Sequence, residues 1–432
     1  MALNTKLEGN ILGIDLGTSG IRAVIVSLQN TLLHEIQVAM PFPKRDNNTS
    51  QQDITIWHTA LDNLLTRLNE VADLSTVRHI VADATSSTVL LIDNKLAPLT
   101  PALMYDDSRA TKQADQIKTY ATTSTAAQGA SSTLAKVMWL EGSRPFEEGQ
   151  TVQYFICHQI DWLNSFFTQK IVPTDANNAL KLGYDVINRC WPDWVKNCIK
   201  TSLPKVVMPG AAIDTIAAAI ADKYHFHPET KIHAGTTDSI AAFLASGANQ
   251  IGDATTSLGS TLSLKLLSDK PIFSPTHGIY SHILGDLWLI GGASNCGGAV
   301  LLKYFSLDQI ITLLSEINIH KPTGLNYYPL ITKGERFPIA DSHLEPKVSP
   351  RPKLDSEFLH TLIEGLVSVE KLAYETLENL GATNVKQVYA VGGGTKNPIW
   401  MTLREQNLGY KTKKAAHIDA AFGVTQLLIK AL

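Results

Sequence analysis

The sequence predicts an α/β fold built from two similar domains, and three features carry that prediction. Apolar β-rich runs joined by a turn of Gly, Ser and Thr occur twice, near residue 15 and near residue 258. Each set is followed by a stretch with apolar residues at helical spacing, and each stretch leads into one further strand. A weak internal repeat of this kind reads as one supersecondary plan used twice.

In the first block Ile11-Leu12-Gly13-Ile14, residues 21–28 and residues 32–40 are β-rich runs separated by DLGTSG at 15–20 and by Gln29-Asn30, the pattern of an antiparallel meander. From Asp53 onward Ile54, Trp57, Leu61, Leu64, Leu65, Leu68 and Val71 share one helical face, which can cover a sheet. Residues 79–84 resume as a strand and complete an α/β layer. In the second block residues 254–267 give strand, turn and strand, and residues 282–290 a third strand closing on Gly291-Gly292. Residues 358–380 form a long helix through Leu362, Leu366, Val369, Ala373 and Leu377, and residues 388–391 a strand running into Gly392-Gly393-Gly394. Two domains facing a cleft is the economical arrangement. The proline-rich segment 333–352 reads as an excursion over the surface or into the mouth of that cleft.

Composition narrows the partners. The 432 residues are 44% hydrophobic and 18% charged, which suits two or three domains with a large core and excludes a disordered or collagen-like chain. The net charge is −3 and neither sign forms a run, which argues against nucleic acid and against a polybasic membrane contact. No stretch approaches the ~18 to 20 apolar residues of a spanning helix. The first ten residues lack the apolar core of a signal peptide, so a soluble, cytoplasmic chain is expected. Cys157, Cys190, Cys198 and Cys296 show no paired spacing and read as reduced core or pocket thiols, with no structural zinc site.

Residues 15–20 follow an apolar strand directly. Two glycines there let backbone N–H groups turn toward an anion, Thr18 and Ser19 add hydroxyl donors, and Asp15 can hold Mg²⁺ through water. An ordinary hairpin with a polar turn is the alternative for this hexapeptide alone. Ser257-Leu258-Gly259-Ser260-Thr261 repeats the pattern, and two such turns facing one another would grip the β- and γ-phosphates of a nucleotide. Gly235-Thr236-Thr237-Asp238 precedes a helix of small residues, so Asp238 sits at the helix start as a base for phosphoryl transfer or as a plain cap. Gly392, Gly393 and Gly394 open an adenosine platform, with Asn397 capping the next helix or meeting the ribose; Trp400 flanks the base or belongs to the core. Residues 291–298 read as a nucleotide-pocket wall, with Cys296 a small buried thiol. Residues 83–88 (DATSST) and 105–109 (YDDSR) offer hydroxyl-binding groups, although Asp106, Asp107 and Arg109 equally suit a surface ion-pair cluster.

These residues resemble the FGGY carbohydrate kinases, within the actin, hexokinase and heat-shock chaperone ATPase superfamily, over nearly the whole chain. Residues 15–20 look like the first phosphate motif of that family, 257–261 the second, 391–394 the adenosine motif and 235–238 the segment bearing its base; GGGTKNPIW at 392–400 is similar to its carboxy-terminal signature. The resemblance implies two ribonuclease-H-like domains with a central nucleotide cleft. Residues 1–245, completed by 417–432, would carry the sugar and the first phosphate motif, and residues 246–416 the nucleotide. It also implies ATP, Mg²⁺ and a small-molecule sugar as ligands, with transfer of the γ-phosphate to a sugar hydroxyl and Asp238 as base. Asp15, Ser86 and Asp238 would touch the sugar, and Ser260, Gly393, Asn397 and Trp400 the nucleotide. Residues 131–139 (SSTLAKVMW) keep the Ser, Thr, Lys and Trp spacing of the amino-terminal signature, but Gly142-Ser143 replaces its polar ending. Thr85-Ser86 stands where glycerol kinases carry Arg-Glu, and the Met-His pair of xylulose kinases is missing. The short form is similar to the compact cyanobacterial and plant-plastid branch acting on D-ribulose, which makes D-ribulose the first expected acceptor and D-xylulose or another polyol the second. An actin-like or chaperone-like ATPase is the rival from another class, and a sugar-binding regulator without turnover a further one.

Overall fold

The computed structural model describes residues 7–121, 125–143 and 153–429. Residues 1–6, on which the signal-peptide reading partly rests, and residues 430–432 of the closing segment lie outside them. Two units emerge, Met1–Ala245 with Asp419–Leu432, and Ser246–Ile418.

In the first unit β1 (Asn10–Leu16), β2 (Gly20–Val26) and β3 (Leu32–Ala39) form the antiparallel meander. A small hairpin, β4 (Lys44–Asp46) and β5 (Thr49–Gln52), precedes α1 (Ile54–Val71), whose first turn is capped by the Asp53 carboxylate accepting from the Thr55 amide. The apolar stripe of α1 is buried from Ile54 to Leu68, but Val71 is exposed in its last turn and does not join the core. β6 (Val77–Ala84) then lies parallel to β1. After β7 (Val89–Asp93), β8 (Ala102–Leu103), α2 (Thr111–Tyr120) and α3 (Thr133–Ser143) come β9 (Tyr154–His158) and α4 (Gln159–Thr168). β10 (Thr174–Asp175), α5 (Ala176–Ala179), α6 (Asp193–Lys196), β11 (Val206–Val207), β12 (Ala212–Thr215) and α7 (Ala218–Tyr224) lead to β13 (Lys231–Thr237) and α8 (Asp238–Ala245). The main sheet has the order β12-β13-β6-β1-β2-β3, and a second sheet the order β4-β5-β8-β7-β9.

The second unit repeats the plan. β14 (Asp253–Leu258) pairs antiparallel with β15 (Leu262–Ser268). The run expected as one strand at 282–290 is two, β16 (Tyr280–Leu284) and β17 (Leu287–Ser294), because Gly285 at φ +61° and Asp286 make a two-residue hairpin turn inside an otherwise apolar run. α9 (Ala299–Tyr304), α10 (Leu307–Leu314) and the long α11 (Asp355–Asn379) follow. β18 (Gln387–Val391) then lies parallel to β14, and α12 (Pro398–Asn407) and β19 (Lys411–Lys414) complete the sheet β16-β17-β15-β14-β18-β19. The chain finally returns to the first unit through α13 (Ala420–Ile429). There Gly423 meets α8 so closely that a Cβ would collide with the Ala241 carbonyl.

Segment 333–352 is more than a surface excursion. Glu335 and Phe337 are buried, and the Glu335 carboxylate accepts from Ser294 Oγ at 2.6 Å, the Asn295 amide at 2.7 Å and the Tyr328 hydroxyl at 3.0 Å, donors that replace its lost water. Among the cysteines Cys157 and Cys296 are core residues whose thiols burial pushes up, Cys198 is half-buried, and exposed Cys190 lines an open surface pocket; all four are free. Among the described residues no helix is long and apolar enough to cross a membrane.

One ion pair joins three elements of the second unit. Arg404 on α12 and Glu370 on α11 are fully buried, with Nε–Oε2 2.8 Å and Nη2–Oε1 2.7 Å. Thr256 of β14 donates to the same carboxylate at 2.5 Å and also meets the Tyr374 hydroxyl at 2.7 Å. Removing one partner strands a charge in the core, so Arg404→Met is expected to cost about 3 to 5 kcal/mol in urea unfolding. The double variant Arg404→Met with Glu370→Leu should recover most of that loss.

Asp175 provides a second test. Its carboxylate caps α5 through the Asn177 and Asn178 amides, and Asn178 Nδ2 donates to it at 2.7 Å; burial nonetheless pushes Asp175 up to about 6. A pKa raised on folding gives stability that is complete below the unfolded value near 4 and is lost as pH rises through about 6. Relative to Asp175→Asn, the native chain should therefore gain on the order of 3 kcal/mol between pH 7 and pH 4. Paired unfolding curves at the two pH values check this.

Candidate active site

In the first unit the β1–β2 turn closes with the Gly17 amide donating to the Gly20 carbonyl at 3.0 Å, leaving Thr18 half-buried and Ser19 exposed at the tip. Asp15 precedes the turn. Parallel pairing sets it directly beside Asp83 of β6, and β13 is in register with β6 at Thr236↔Asp83 and Thr237↔Ala84, so Asp238 follows at the same sheet end. Four carboxyl groups thus interact there: Asp15, Asp83, Asp238 and Asp419, which precedes α13. Burial pushes Asp15 up to about 6 against the pull of Arg22, whose Nη1 lies 3.0 Å from its Oδ2. Asp83 is fully buried, and burial together with the charges of Asp15, Asp238 and Asp419 holds it well above the carboxylate range. Among the described residues no donor reaches either Asp83 oxygen, which suits a carboxyl held toward its neutral form. Asp238 is half-buried, with its Oδ1 accepting from the Ser239 amide at 2.6 Å.

Two loops border this cluster. In the 85–88 turn Thr85, Ser87 and Thr88 are buried and only Ser86 is half-exposed, so Ser86 is the hydroxyl of the four able to meet a ligand. Gln159 Oε1 anchors the turn, accepting from the Thr85 amide at 3.1 Å and its Oγ1 at 2.6 Å. The 105–109 cluster divides in two. Asp107 is buried, pairs with Arg109 at 2.7 Å and accepts from the Ser50 amide, while Asp106 pairs with Arg45 at 3.0 Å. Their carboxylates serve structure. Tyr105, between them and Met104, is exposed, and its phenol is raised first by burial, then by Asp106, with a further push from Asp238.

The second unit holds the other predicted residues. The β14–β15 turn closes with the Gly259 amide donating to the Thr261 carbonyl at 3.2 Å, and Ser260 and Thr261 are exposed at its tip. The start of α9 is docked on this turn: the Gly298 amide donates to the Gly259 carbonyl at 2.8 Å and the Ala299 amide to that of Ser260 at 3.3 Å. Gly392 adopts φ +89° against the Leu258 backbone, and Gly393 is exposed with open space around it. The Asn397 side chain accepts from the Trp400 amide at 3.0 Å, so it caps α12. Trp400 is 1% exposed and leaves no face for a stacked base; its ring edge instead lies where a Cβ at Gly394 would collide with it. This corrects the expectation of a nucleotide contact through that ring, since helical spacing reads the same for a core and a ligand-facing tryptophan.

Arg22, Asp419 and the raised carboxyl of Asp83 were not read from the sequence. Asp419 before a small-residue apolar helix carries a cap signal, which the structure realises with its carboxylate accepting from the Ala421 amide at 2.8 Å. Among the described residues no group of three or more His, Cys, Asp or Glu side chains is disposed to hold a metal ion. The nearby charges of Asp15, Asp238 and Asp419 fit a hydrated cation reached through water.

Comparison with solved structures matches the fold to sugar kinases: the xylulose kinase from Rhodospirillum rubrum superposes with a TM-score of 0.84 at 20% identity, over 97% of this chain and 89% of that one. In sequence, the xylulose kinase of Lactococcus lactis is 25% identical over 419 residues, 91% of this chain and 82% of its own. The gluconokinase of Bacillus subtilis is 24% identical over 337 residues, 75% of this chain and 64% of its own. Residues 10–245 match the amino-terminal domain model of the FGGY carbohydrate kinases and residues 254–427 the carboxy-terminal one. The chain therefore belongs to the FGGY family of carbohydrate kinases and is a sugar kinase that uses ATP.

Proposed function

We propose that this kinase phosphorylates a hydroxyl of a ketopentose, with Asp238 as the general base. The observation that carries the reading is the sheet end of the first unit, where a half-buried Asp238 and Asp15 stand among four carboxyl groups with Ser86 and Tyr105 alongside. Phosphoryl transfer asks little covalent chemistry of a protein: it needs the hydroxyl positioned, its proton accepted late, and the phosphate charge met by donors. The Ser239 amide orients the Asp238 carboxylate for that proton. Asp15 and Ser86 bind the acceptor hydroxyls. The turn carrying Thr18 and Ser19, and separately the turn carrying Gly259, Ser260 and Thr261, each offer amides and hydroxyls of the kind that bind phosphate. Gly392 and Gly393 let the adenosine approach the backbone, and Asn397 acts by fixing the start of α12. Mg²⁺, when bound, neutralises phosphate charge, and Asp15 is the residue suited to hold it through water. A neutral Asp83 limits the negative charge that an incoming polyphosphate would meet.

The compact-branch resemblance favours D-ribulose. The names of the relatives above favour D-xylulose, which differs from D-ribulose only at C3, and gluconate follows from the gluconokinase. ATP consumption across D-ribulose, D-xylulose, gluconate, glycerol and a no-sugar control separates them. A ketopentose is expected to raise turnover at least ten-fold over the control; equal turnover throughout would instead support the ATPase reading.

Asp238→Ala is expected to lower sugar-dependent ADP formation by about 10² to 10⁴-fold, the range for a lost general base. ATP affinity, measured by calorimetry, should stay within two-fold of the native value. A folded variant that loses ATP binding would remove Asp238 from the acceptor side of the reaction.

A further inference from the structure

We propose that Lys136 is a positioning residue for the acceptor, tying together from within α3 the two loops that present Ser86 and Tyr105. The inference rests on the kinase reading. Lys136 is fully exposed to protein and not at all to solvent, and its Nζ donates to the Ser87 carbonyl at 2.6 Å and to the Met104 carbonyl at 2.8 Å. Each accepting carbonyl is one residue from a side chain on the acceptor side: Ser86 precedes Ser87, and Tyr105 follows Met104.

Burying an ammonium costs several kcal/mol, and among the described residues no carboxylate pairs with this one. The Asp107 carboxylate is close enough to favour its charge but is committed to Arg109. A methionine would fill the same volume without that cost, so the ammonium is explained by what it holds. What it holds is strained: Ser87 is a non-glycine residue at φ +69°, a conformation that persists only when its surroundings enforce it. Burial brings Lys136 down to about 7, and either protonation state retains N–H groups for two carbonyls.

The next turn of the same helix reinforces the tie. Trp139 lies under the Arg109 guanidinium at 4.9 Å, and Arg109 in turn grips Asp107 and donates to Gln51 Oε1 at 2.9 Å. One face of α3 thus secures the 85–88 turn once and the 104–109 connection twice. A polyhydroxylated acceptor is recognised by hydroxyls and a phenol held at fixed separation, so slack between the loops should fall on sugar binding and spare the nucleotide, whose proposed turns at 15–20, 257–261 and 392–394 take no bond from Lys136.

The test compares the native enzyme with Lys136→Met, which keeps volume and loses every donor, and Lys136→Gln, which keeps one amide donor group. The Michaelis constant for the ketopentose should rise ten-fold or more in Lys136→Met and by less in Lys136→Gln. That for ATP should stay within two-fold, with kcat falling less than the sugar constant rises. Amide exchange should quicken at Thr88 and Asp107, whose N–H groups bond within the two loops at 3.4 and 3.0 Å, and not along β1. A lower kcat with both constants unchanged marks a smaller folded fraction and overturns the proposal, as does unchanged sugar affinity. Should Lys136→Met not fold, Lys136→Gln carries the same comparison. If the native enzyme shows no sugar dependence the kinase reading fails first, while exchange at Thr88 and Asp107 still decides whether Lys136 ties the loops.

Discussion

Two aspartates stand side by side at one sheet end because β1 and β6 run parallel in a register that places Asp15 opposite Asp83. Two adjacent buried carboxyls cannot both ionise cheaply, and the asymmetry of their surroundings decides which one does. Arg22 reaches Asp15, whereas Asp83 is enclosed without a donor and faces three other acids. Asp83 is therefore the one held further above the carboxylate range, while the Arg22 guanidinium fixes Asp15, and Asp238 and Asp419 act on the same pair through their charges. The rest of the first unit follows from keeping that end intact: α13 presses Gly423 against α8, and Gln159 and Lys136 anchor the bordering turn from beneath.

What could be read in the sequence was local. The meander and α1 depend on turn residues and spacing within a few positions, and they stand where periodicity puts them. The DLGTSG and SLGST turns and the glycines at 392–394 were legible for the same reason, since each occupies one short loop. Long-range pairing left no such trace. That β13 would lie beside β6 and deliver Asp238 next to Asp83 depends on residues about 150 positions apart, and Asp419 reaches the cluster only after the chain has traversed the whole second unit. The Gly285-Asp286 turn was hidden by apolar neighbours on both sides, and the buried Glu335 by the prolines around it.

Burial also separates residues that the sequence groups together. Asp106, Asp107 and Arg109 are contiguous, yet Asp107 is sealed into a bidentate pair while Asp106 stays at the surface with Arg45. Ser86 and Ser87 are chemically alike, yet one faces out and the other turns its carbonyl to a buried lysine. In each case the position of one carbonyl or one counter-ion, which sequence does not display, chooses between a ligand-facing and a structural role.

The two units share a plan and differ in charge at its most informative point. In the first, the strand pair flanking the turn brings Asp15 against Asp83; in the second, the corresponding pair brings Ser257 against Val391. The second turn thus carries no carboxyl at the position of Asp15, and its own carbonyls are occupied by the amides at the start of α9. A hairpin with no charged residue of its own and with exposed serine and threonine suits an anion. A cluster of acids suits a hydroxyl that must give up a proton, and it tolerates phosphate only where one acid stays neutral and another is held by arginine. This asymmetry favours the proposed placement of the acceptor and the base on the first unit, and of the adenosine and the uncharged phosphate turn on the second.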